Sequence, residues 1–430
     1  MKKIMFLAIA MLFCVASFAQ DFSAHFVEKT LRIDYIFAGN AEQQFVTLDE
    51  LSKFDGWAGR RVNLDRVPVR GNGEIKIIDP KTNKTIYRNT FSSLFQEWLV
   101  TDEASQITKS FEATFLLPFP KQEVFAEVTL LDNKGEKQTS LRHRIVPDDK
   151  LIRNMNGRET APHEYLLKSG SAEECIDIAI VAEGYTAEEM DIFMRDARTA
   201  CDEIFRYEPF ASHKEKFNVV AVKIESKQSD VSVPQDGIWR QTALNSNFHT
   251  FYSPRYLTTN SVHLIHDSLV GIDYEHLIIL ANTDTYGGGG IYNSYTLTTA
   301  HNPQFKPVVV HEFGHSFGAL GDEYFYEHAD HTENTYDLRY EPWEQNITSL
   351  VDFESKWKDM LDKHTSIPTE PTDKRKEKYT VGVYEGGGYM TKGMYRPAVV
   401  CRMRDNVATQ FCPVCQRAIE RIIIYNTERE

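Results

Sequence analysis

The residues best suited to chemistry lie in the segment VVVHEFGHSFGALGDEY, residues 308–324. His311 and His315 are four residues apart, so on a helix their imidazoles point from one face and can share one zinc ion. Glu312 lies about 100° around such a helix from His311, close enough to reach a water molecule beside the metal without being a ligand. The spacing predicts a zinc site for metal-assisted hydrolysis, with Glu312 as the general base.

A third protein ligand is needed, because a catalytic zinc site leaves its fourth position to water. Gly318 permits a sharp turn out of the helix, as in the pattern H-E-x-x-H-x-x-G, where the next ligand follows the turn. The position three residues after that glycine is Gly321, which has no side chain. Asp322 is favoured over Glu323 because it is the nearer and shorter side chain. The competing geometry is a second helix that supplies Glu333, Glu341 or Glu344.

The histidines require a helix to position them. VVVHEFGHSF predicts one that is buried nearly all round, starting at Asn302-Pro303 or Lys306-Pro307 and ending at Gly318. Upstream, a helix is predicted over 186–205, with Thr186 and Glu189 forming a capping box. A buried strand is predicted at 175–184, and further strands are predicted at 217–226 and 276–284. This β-α-β order predicts an α/β domain with a mostly parallel sheet.

A glycine run, residues 287–290, precedes the zinc helix. It either admits a ligand close to the backbone or forms a flexible hairpin loop. The strand predicted at 292–299 is expected to be the sheet edge that borders the cleft. An edge strand can pair with an extended substrate through backbone groups, which predicts cleavage of internal peptide bonds.

The N-terminal part of the chain has a different pattern of apolar and polar residues. Residues 20–146 carry short alternating runs separated by turn residues, which predicts an all-β sandwich module. Residues 147–172 lose the alternation, so the boundary is expected there and the catalytic domain is assigned to 147–430. The fold class predicted is α+β/α/β, a β-sandwich module followed by a catalytic domain with an active-site helix.

The first 19 residues, with two lysines and an apolar run before Ser17 and Ala19, predict a signal peptide cut before Gln20. The protein is therefore expected to be exported to the periplasm, cell surface or medium, without a transmembrane segment and as a monomer. The formal charge of −14 becomes −16 without Lys2 and Lys3, leaving 46 basic and 62 acidic residues. Nucleic acid is excluded as a partner class on this charge.

Five cysteines follow the predicted signal peptide, and an odd number cannot all pair within one chain. FCPVC, at 411–415, resembles half of a zinc ribbon or a redox pair, but no second CxxC or CxxH motif follows. A structural disulfide from Cys401 to Cys412 or Cys415 is expected.

Several segments together point to one family: HEFGHSFGALGDEY, AIVAEGYTAEEMDIF, KFNVVAVKIES, YGGGGIYNS, and YEGGGYMTKGMYRPAVVCRMR with FCPVC. The chain resembles the IgA peptidase family of bacterial secreted zinc metalloendopeptidases over roughly residues 173–420. The zinc motif with its terminal Asp-Glu-Tyr is the most specific element. Glu183 is a departure, because aspartate is expected before Gly184-Tyr185.

The resemblance implies a secreted zinc metalloendopeptidase that hydrolyses internal bonds of protein or glycoprotein substrates, with immunoglobulin A suggested by the family name. It also implies a metzincin-like zincin domain with a methionine turn beneath the metal. Met403 is favoured for that turn, with Met390 and Met394 as alternatives. The competing function is a surface or secreted binding protein that uses the zincin fold as a scaffold. Glu312 argues against it, because a scaffold needs no general base.

Overall fold

The computed structural model describes residues 21–132, 134–326, 336–371 and 378–428. The segment predicted as a signal peptide lies outside the described residues. None of the described helices combines the length and apolarity that crossing a membrane would require.

The helices and strands alternate irregularly along the chain. The helices are α1 (Phe22–His25), α2 (Leu94–Trp98), α3 (Met190–Ile204), α4 (Val262–Ser268), α5 (Phe305–Ser316) and α6 (Pro413–Thr427). The strands are β1 (Phe26–Gly39), β2 (Gln44–Asp55), β3 (Gly73–Ile78), β4 (Thr85–Phe91), β5 (Lys109–Pro120), β6 (Val124–Leu131), β7 (Lys137–Ile145), β8 (Arg153–Asn154), β9 (His163–Lys168), β10 (Ile176–Glu183), β11 (Phe217–Val222), β12 (His276–Ala281), β13 (Gly288–Ile291), β14 (Tyr295–Thr299), β15 (Tyr384–Gly387) and β16 (Met390–Arg396).

The N-terminal region is β-rich, as predicted. It contains two four-stranded sheets, in the orders β5-β1-β2-β8 and β4-β3-β6-β7. Apolar side chains from both sheets share one core, in which the rings of Phe37 on β1 and Phe91 on β4 stack with centroids 6.0 Å apart.

The second region is built on a six-stranded mixed sheet in the order β13-β14-β12-β10-β11-β9. The four inner strands run parallel, and the two edge strands β13 and β9 pair antiparallel with their neighbours. Every residue of β10, β11 and β12 is buried, which explains why their sequences are mostly apolar rather than alternating. The expected parallel sheet is therefore confirmed for the inner strands only.

Different structures cover the two faces of this sheet. Ile178 and Ile180 of β10 pack in a core with α3, α5 and α6. Ala179 and Val181 point the other way, into the core that the sheet shares with the N-terminal β-rich region. Because the β-rich region forms one layer of this core, it supports the sheet directly.

The β-rich region also holds the glycine strand β13 in place. The Ser92 backbone N–H donates to the Tyr292 carbonyl oxygen at 3.0 Å, and the Tyr292 N–H donates to Ser92 Oγ at 2.9 Å. Tyr292 directly follows β13, so these two hydrogen bonds fix the end of the strand.

The chain passes from the two N-terminal sheets to the six-stranded sheet between β8 and β9. β8 pairs with β2 of an N-terminal sheet, and β9 pairs with β11 of the six-stranded sheet. Both strands lie within residues 147–172, the segment expected to contain the boundary. The division at residue 146 stays a prediction.

One sequence prediction about the sheet is wrong. The strand expected at the edge is β14, which lies inside the sheet between β12 and β13. The edge strand is the glycine run itself, because Gly288, Gly289 and Gly290 pair with β14 in regular antiparallel register. Glycine has low strand propensity, and here close packing against a helix outweighs that preference.

Candidate metal centre

The glycines of β13 bring the sheet edge against helix α5. A Cβ atom at Gly290 would lie 2.3 Å from the Glu312 backbone oxygen and 2.9 Å from His315 Cβ. A Cβ atom at Gly288 would lie 3.0 Å from Glu312 Cγ. Side chains at these positions would push the helix away from the sheet. The glycine run thus positions the helix that carries both histidines.

Both histidines are oriented by backbone carbonyl groups. His311 Nδ1 lies 3.0 Å from the Arg402 carbonyl oxygen, and His315 Nδ1 lies 2.6 Å from the Leu320 carbonyl oxygen. A carbonyl oxygen can only accept, so each Nδ1 carries the hydrogen. In the neutral imidazoles the lone pairs are therefore on the two Nε2 atoms, the arrangement typical of histidine metal ligands.

Asp322 completes a group of three acceptor atoms, which we call the histidine–aspartate cluster (His311, His315 and Asp322). Asp322 Oδ1 lies 3.0 Å from His311 Nε2 and 3.3 Å from His315 Nε2, and the two Nε2 atoms are 3.1 Å apart. Tetrahedral zinc bonds of about 2.0–2.1 Å place neighbouring ligand atoms about 3.3 Å apart. The donor types and their separations therefore fit a zinc ion.

One of the three atoms, Asp322 Oδ1, is left without a hydrogen-bond partner of normal geometry within the described part of the chain. Asp322 itself is 7 % exposed. Three converging lone pairs repel one another unless a cation lies among them. Without a metal a proton fills this role: burial lowers the pKa of His315, but the Asp322 and Glu312 carboxylates and the Leu320 carbonyl group together raise it to about 10.

Asp322 reaches the histidines through a tight turn after α5. The left-handed residue of this turn is Ala319, with φ of 53°, rather than the predicted Gly318. The Ala319 N–H donates to the His315 carbonyl oxygen, and the Leu320 N–H donates to that of Gly314. Gly318 is required for space, since a Cβ atom there would lie 2.6 Å from the Gly314 oxygen.

Tyr389 holds the other carboxylate oxygen of Asp322, a role that the sequence motifs do not indicate. Its hydroxyl donates to Asp322 Oδ2, and the Gly388 N–H donates to the Asp322 carbonyl oxygen at 2.8 Å. Tyr389 has φ of 67°, unusual for a bulky residue, in the two-residue turn between β15 and β16. In the sequence, the only feature that could indicate this role of Tyr389 is its position directly after a run of glycines.

The general base predicted from the motif lies beside this cluster. A Glu312 carboxylate oxygen lies within 4.8 Å of a ring nitrogen of each histidine. Burial raises the pKa of the Glu312 carboxyl group, while the histidines and Arg255 oppose the rise. A carboxylate with a raised pKa accepts a proton more readily at neutral pH.

An aromatic and basic border adjoins the histidines. The Tyr324 ring stacks near His311, with centroids 6.5 Å apart and planes 26° from parallel. Arg255 Nη2 donates to the Tyr324 hydroxyl at 3.3 Å and to the Tyr326 hydroxyl at 2.6 Å. Tyr395, on strand β16, pairs its backbone with Thr348.

Met403 lies under the histidine helix. It is fully buried, and a Cβ atom at Gly314 would be 2.6 Å from its sulfur atom. Its neighbour Arg402 supplies the carbonyl group that orients His311. The competing methionines, Met390 and Met394, belong to strand β16.

Glu323 points away from the histidines. It is fully buried, and its Oε1 atom accepts from Asn346 Nδ2 at 2.9 Å and from Cys415 Sγ at 3.0 Å. Of the more distant candidates, Glu344 accepts from the Tyr336 hydroxyl and Glu341 lies near Lys356. Glu333 lies outside the described residues.

The disulfide expected at Cys401 is wrong. All five cysteines among the described residues are free thiols. Cys401 Sγ and Cys415 Sγ are 3.7 Å apart, well beyond the bonded distance of about 2.05 Å. Both sulfur atoms take part in other contacts: Cys415 Sγ donates to Glu323 Oε1 at 3.0 Å, and Cys401 Sγ accepts from the Cys412 N–H at 3.2 Å.

Comparison with known proteins agrees with this site. A family model described as IgA Peptidase M64 matches residues 165–380 and 371–423, and a second, described as Peptidase M64 N-terminus, matches residues 21–142. No curated protein matches the chain. The first family model covers more than half of the chain, including every residue of the histidine–aspartate cluster. The chain therefore belongs to the IgA Peptidase M64 family and is a metallopeptidase.

Proposed function

We propose that this metallopeptidase is a zinc-dependent endopeptidase whose metal ligands are His311, His315 and Asp322 and whose general base is Glu312. The observation that carries the proposal is the convergence of three acceptor atoms, 3.0–3.3 Å apart, beside a carboxylate on the same helix. Three protein ligands leave one position open, as catalytic zinc sites require.

When bound, zinc would supply a Lewis acid that polarises the scissile carbonyl group and makes water more acidic. Glu312 orients the attacking water molecule, accepts its proton and delivers that proton to the leaving amine. The raised pKa of Glu312 suits both transfers, since the carboxyl group must release the proton as well as accept it.

The remaining residues hold this arrangement. The Arg402 and Leu320 carbonyl groups fix the two imidazoles, and the Tyr389 hydroxyl fixes Asp322. Met403 would form the floor beneath the metal, as in metzincin-like zincins. Tyr324 and Arg255 border the site and can donate hydrogen bonds to a substrate carbonyl group.

The substrate class is a protein cut at internal bonds. The family description names immunoglobulin A, a large folded protein, which supports internal cleavage rather than trimming of chain ends. The expected pairing of substrate with strand 292–299 is not retained, since that strand lies inside the sheet. The true edge strand β13 is already bridged at Gly288, whose N–H donates to the Arg255 carbonyl oxygen.

The proposed activity is tested with purified protein on casein and on immunoglobulin A, with and without a zinc chelator. We expect chelator-sensitive cleavage, restored by zinc, and products whose new ends lie inside the substrate sequence. Mass spectrometry that finds only the loss of one or two terminal residues would make the protein an exopeptidase.

We also propose export of the protein, on the strength of the signal-like sequence at 1–19. N-terminal sequencing of protein from the periplasm or medium should begin at Gln20. Protein that retains Met1 and stays in the cytoplasm would contradict export.

A further inference from the structure

A second set of metal-binding side chains lies outside the histidine–aspartate cluster. We call it the cysteine–glutamate cluster: Glu323, Cys401, Cys412 and Cys415. Each of these residues is fully buried, and one ligand atom from each lies within 4.8 Å of all the others. Neither the sequence motif nor the proposed hydrolysis gives these residues a role.

Two of the three separations given for this cluster are close to those around a tetrahedral ion, and the third, between Glu323 Oε1 and Cys415 Sγ, is shorter. Bonds of about 2.3 Å to sulfur and about 2.0–2.2 Å to oxygen place neighbouring ligand atoms about 3.5–3.8 Å apart. Cys401 Sγ and Cys415 Sγ are 3.7 Å apart, and Glu323 Oε1 lies 3.0 Å from Cys415 Sγ and 3.9 Å from Cys412 Sγ.

Three features of the surroundings are typical of side chains that bind a metal ion. Glu323 Oε2 is buried and has no hydrogen-bond partner among the described residues. Cys412 is the N-cap of α6 and Cys415 lies in its first turn, where the helix dipole stabilises thiolates. The Cys412 N–H also donates to Cys401 Sγ at 3.2 Å, as backbone groups do around metal thiolates.

We propose that Glu323, Cys401, Cys412 and Cys415 bind one structural zinc ion. Thiolates in a tetrahedral arrangement select zinc among the common divalent ions, and four protein ligands close the site to water and substrate. This second ion is structural because no position is left for a reacting group.

The second ion would stabilise the first site through the backbone. Glu323 follows Asp322 directly, its N–H donates to the Met403 carbonyl oxygen at 2.9 Å, and Met403 lies two residues after Cys401. One ion would thus join the segment carrying the third catalytic ligand, the turn beneath α5 and the start of α6. Binding of this ion does not require that the protein hydrolyse peptides.

The test is zinc content and zinc X-ray absorption of the full chain purified without chelators. Wild-type protein should contain about two zinc ions per chain and show about 1.5 sulfur neighbours per zinc, since three cysteines serve two ions. The double variant His311→Ala/His315→Ala should keep about one zinc, with sulfur neighbours at about 2.3 Å. Cys412→Ser should lose the sulfur-bound zinc and keep the other ion. The control Cys175→Ser should keep both ions.

Wild-type protein holding one zinc with no sulfur neighbours would overturn the proposal. Peptide mapping that finds a disulfide among Cys401, Cys412 and Cys415 in freshly purified protein would also overturn it. Both readouts use the wild-type chain, so they remain decisive if Cys412→Ser does not fold. Failure of the hydrolytic proposal would instead appear as two zinc ions without peptidase activity.

Discussion

Two clusters of potential ligands meet at consecutive residues of one loop, and they differ in almost every physical respect. The histidine–aspartate cluster, which contains Asp322, offers three potential ligands, and its histidine side chains are 13 % and 16 % exposed. The cysteine–glutamate cluster, which contains Glu323, offers four potential ligands without exposed surface. Access to solvent and an open ligand position suit the first to chemistry, whereas closure suits the second to holding chain segments together.

The two clusters together account for the presence of two adjacent carboxylates. Successive side chains of an extended segment point in opposite directions, so one carboxylate can serve each cluster. The Gly388 and Tyr389 N–H groups bond to the carbonyl oxygens of Asp322 and Tyr324, and Phe325 forms a bridge with Tyr389, which keeps this segment extended.

The largest effect is expected from removing both histidines. His311→Ala/His315→Ala should abolish peptidase activity and remove one zinc ion, because two of the three ligands are lost. Metal analysis and casein hydrolysis measure both results. His163→Ala, an exposed histidine far along the chain from the motif, is the control and should match wild type. Unchanged zinc in the double variant would exclude the histidine site.

The next effect separates the two carboxylates. Asp322→Ala should weaken the catalytic zinc strongly, while Glu323→Ala should weaken the sulfur-bound zinc instead. Competition with a chromophoric chelator measures how readily each variant releases zinc. The sulfur signal in X-ray absorption then identifies which of the two zinc ions remains bound. Loss of the sulfur-free zinc in Glu323→Ala, with retention in Asp322→Ala, would reverse the assignment.

A smaller effect is expected at the tyrosine that supports Asp322. Tyr389→Phe removes the hydroxyl that donates to Asp322 Oδ2, and such supporting contacts are worth about 10–100-fold in metal affinity or activity. Tyr395→Phe is the matched control on the same hairpin and should stay near wild type. Equal losses in the two variants would show general damage to the hairpin.

The smallest effect is expected from the glycine strand. Gly290→Ala places a methyl group against α5 and should lower the free energy of unfolding by about 1–3 kcal/mol, as overpacking does. Thermal or denaturant unfolding measures the loss. Gly387→Ala, where the nearest atom is 3.6 Å away, is the control. A Gly290→Ala protein as stable as the control would show that α5 can move away from the sheet.

Local patterns predicted most of the local structure. The helix bearing His311 and His315, the capping box of Thr186 and Glu189, and the inner strands all depend on residues close in sequence. Asp322 must also lie near the turn after the helix, because only a few residues separate the two in the sequence. These features need no knowledge of distant contacts.

The features that sequence missed depend on contacts between distant segments. Tyr389 reaches Asp322 across 67 residues, and Cys415 reaches Glu323 across 92. The spacing of the cysteines predicts a disulfide, because spacing alone does not show that a buried carboxylate lies beside them. The glycine run by itself predicts a flexible loop or a close approach to a ligand, whereas its role in the structure depends on the helix packed against it.

The central claim, that Glu312 acts as the general base beside a zinc held by the histidine–aspartate cluster, is tested most directly by Glu312→Gln. The amide keeps the size of the side chain but cannot accept the proton. Turnover of casein, measured at known zinc content, should fall by about 10²–10⁴-fold while both zinc ions are retained. Unchanged turnover in a fully zinc-loaded Glu312→Gln protein would contradict the claim.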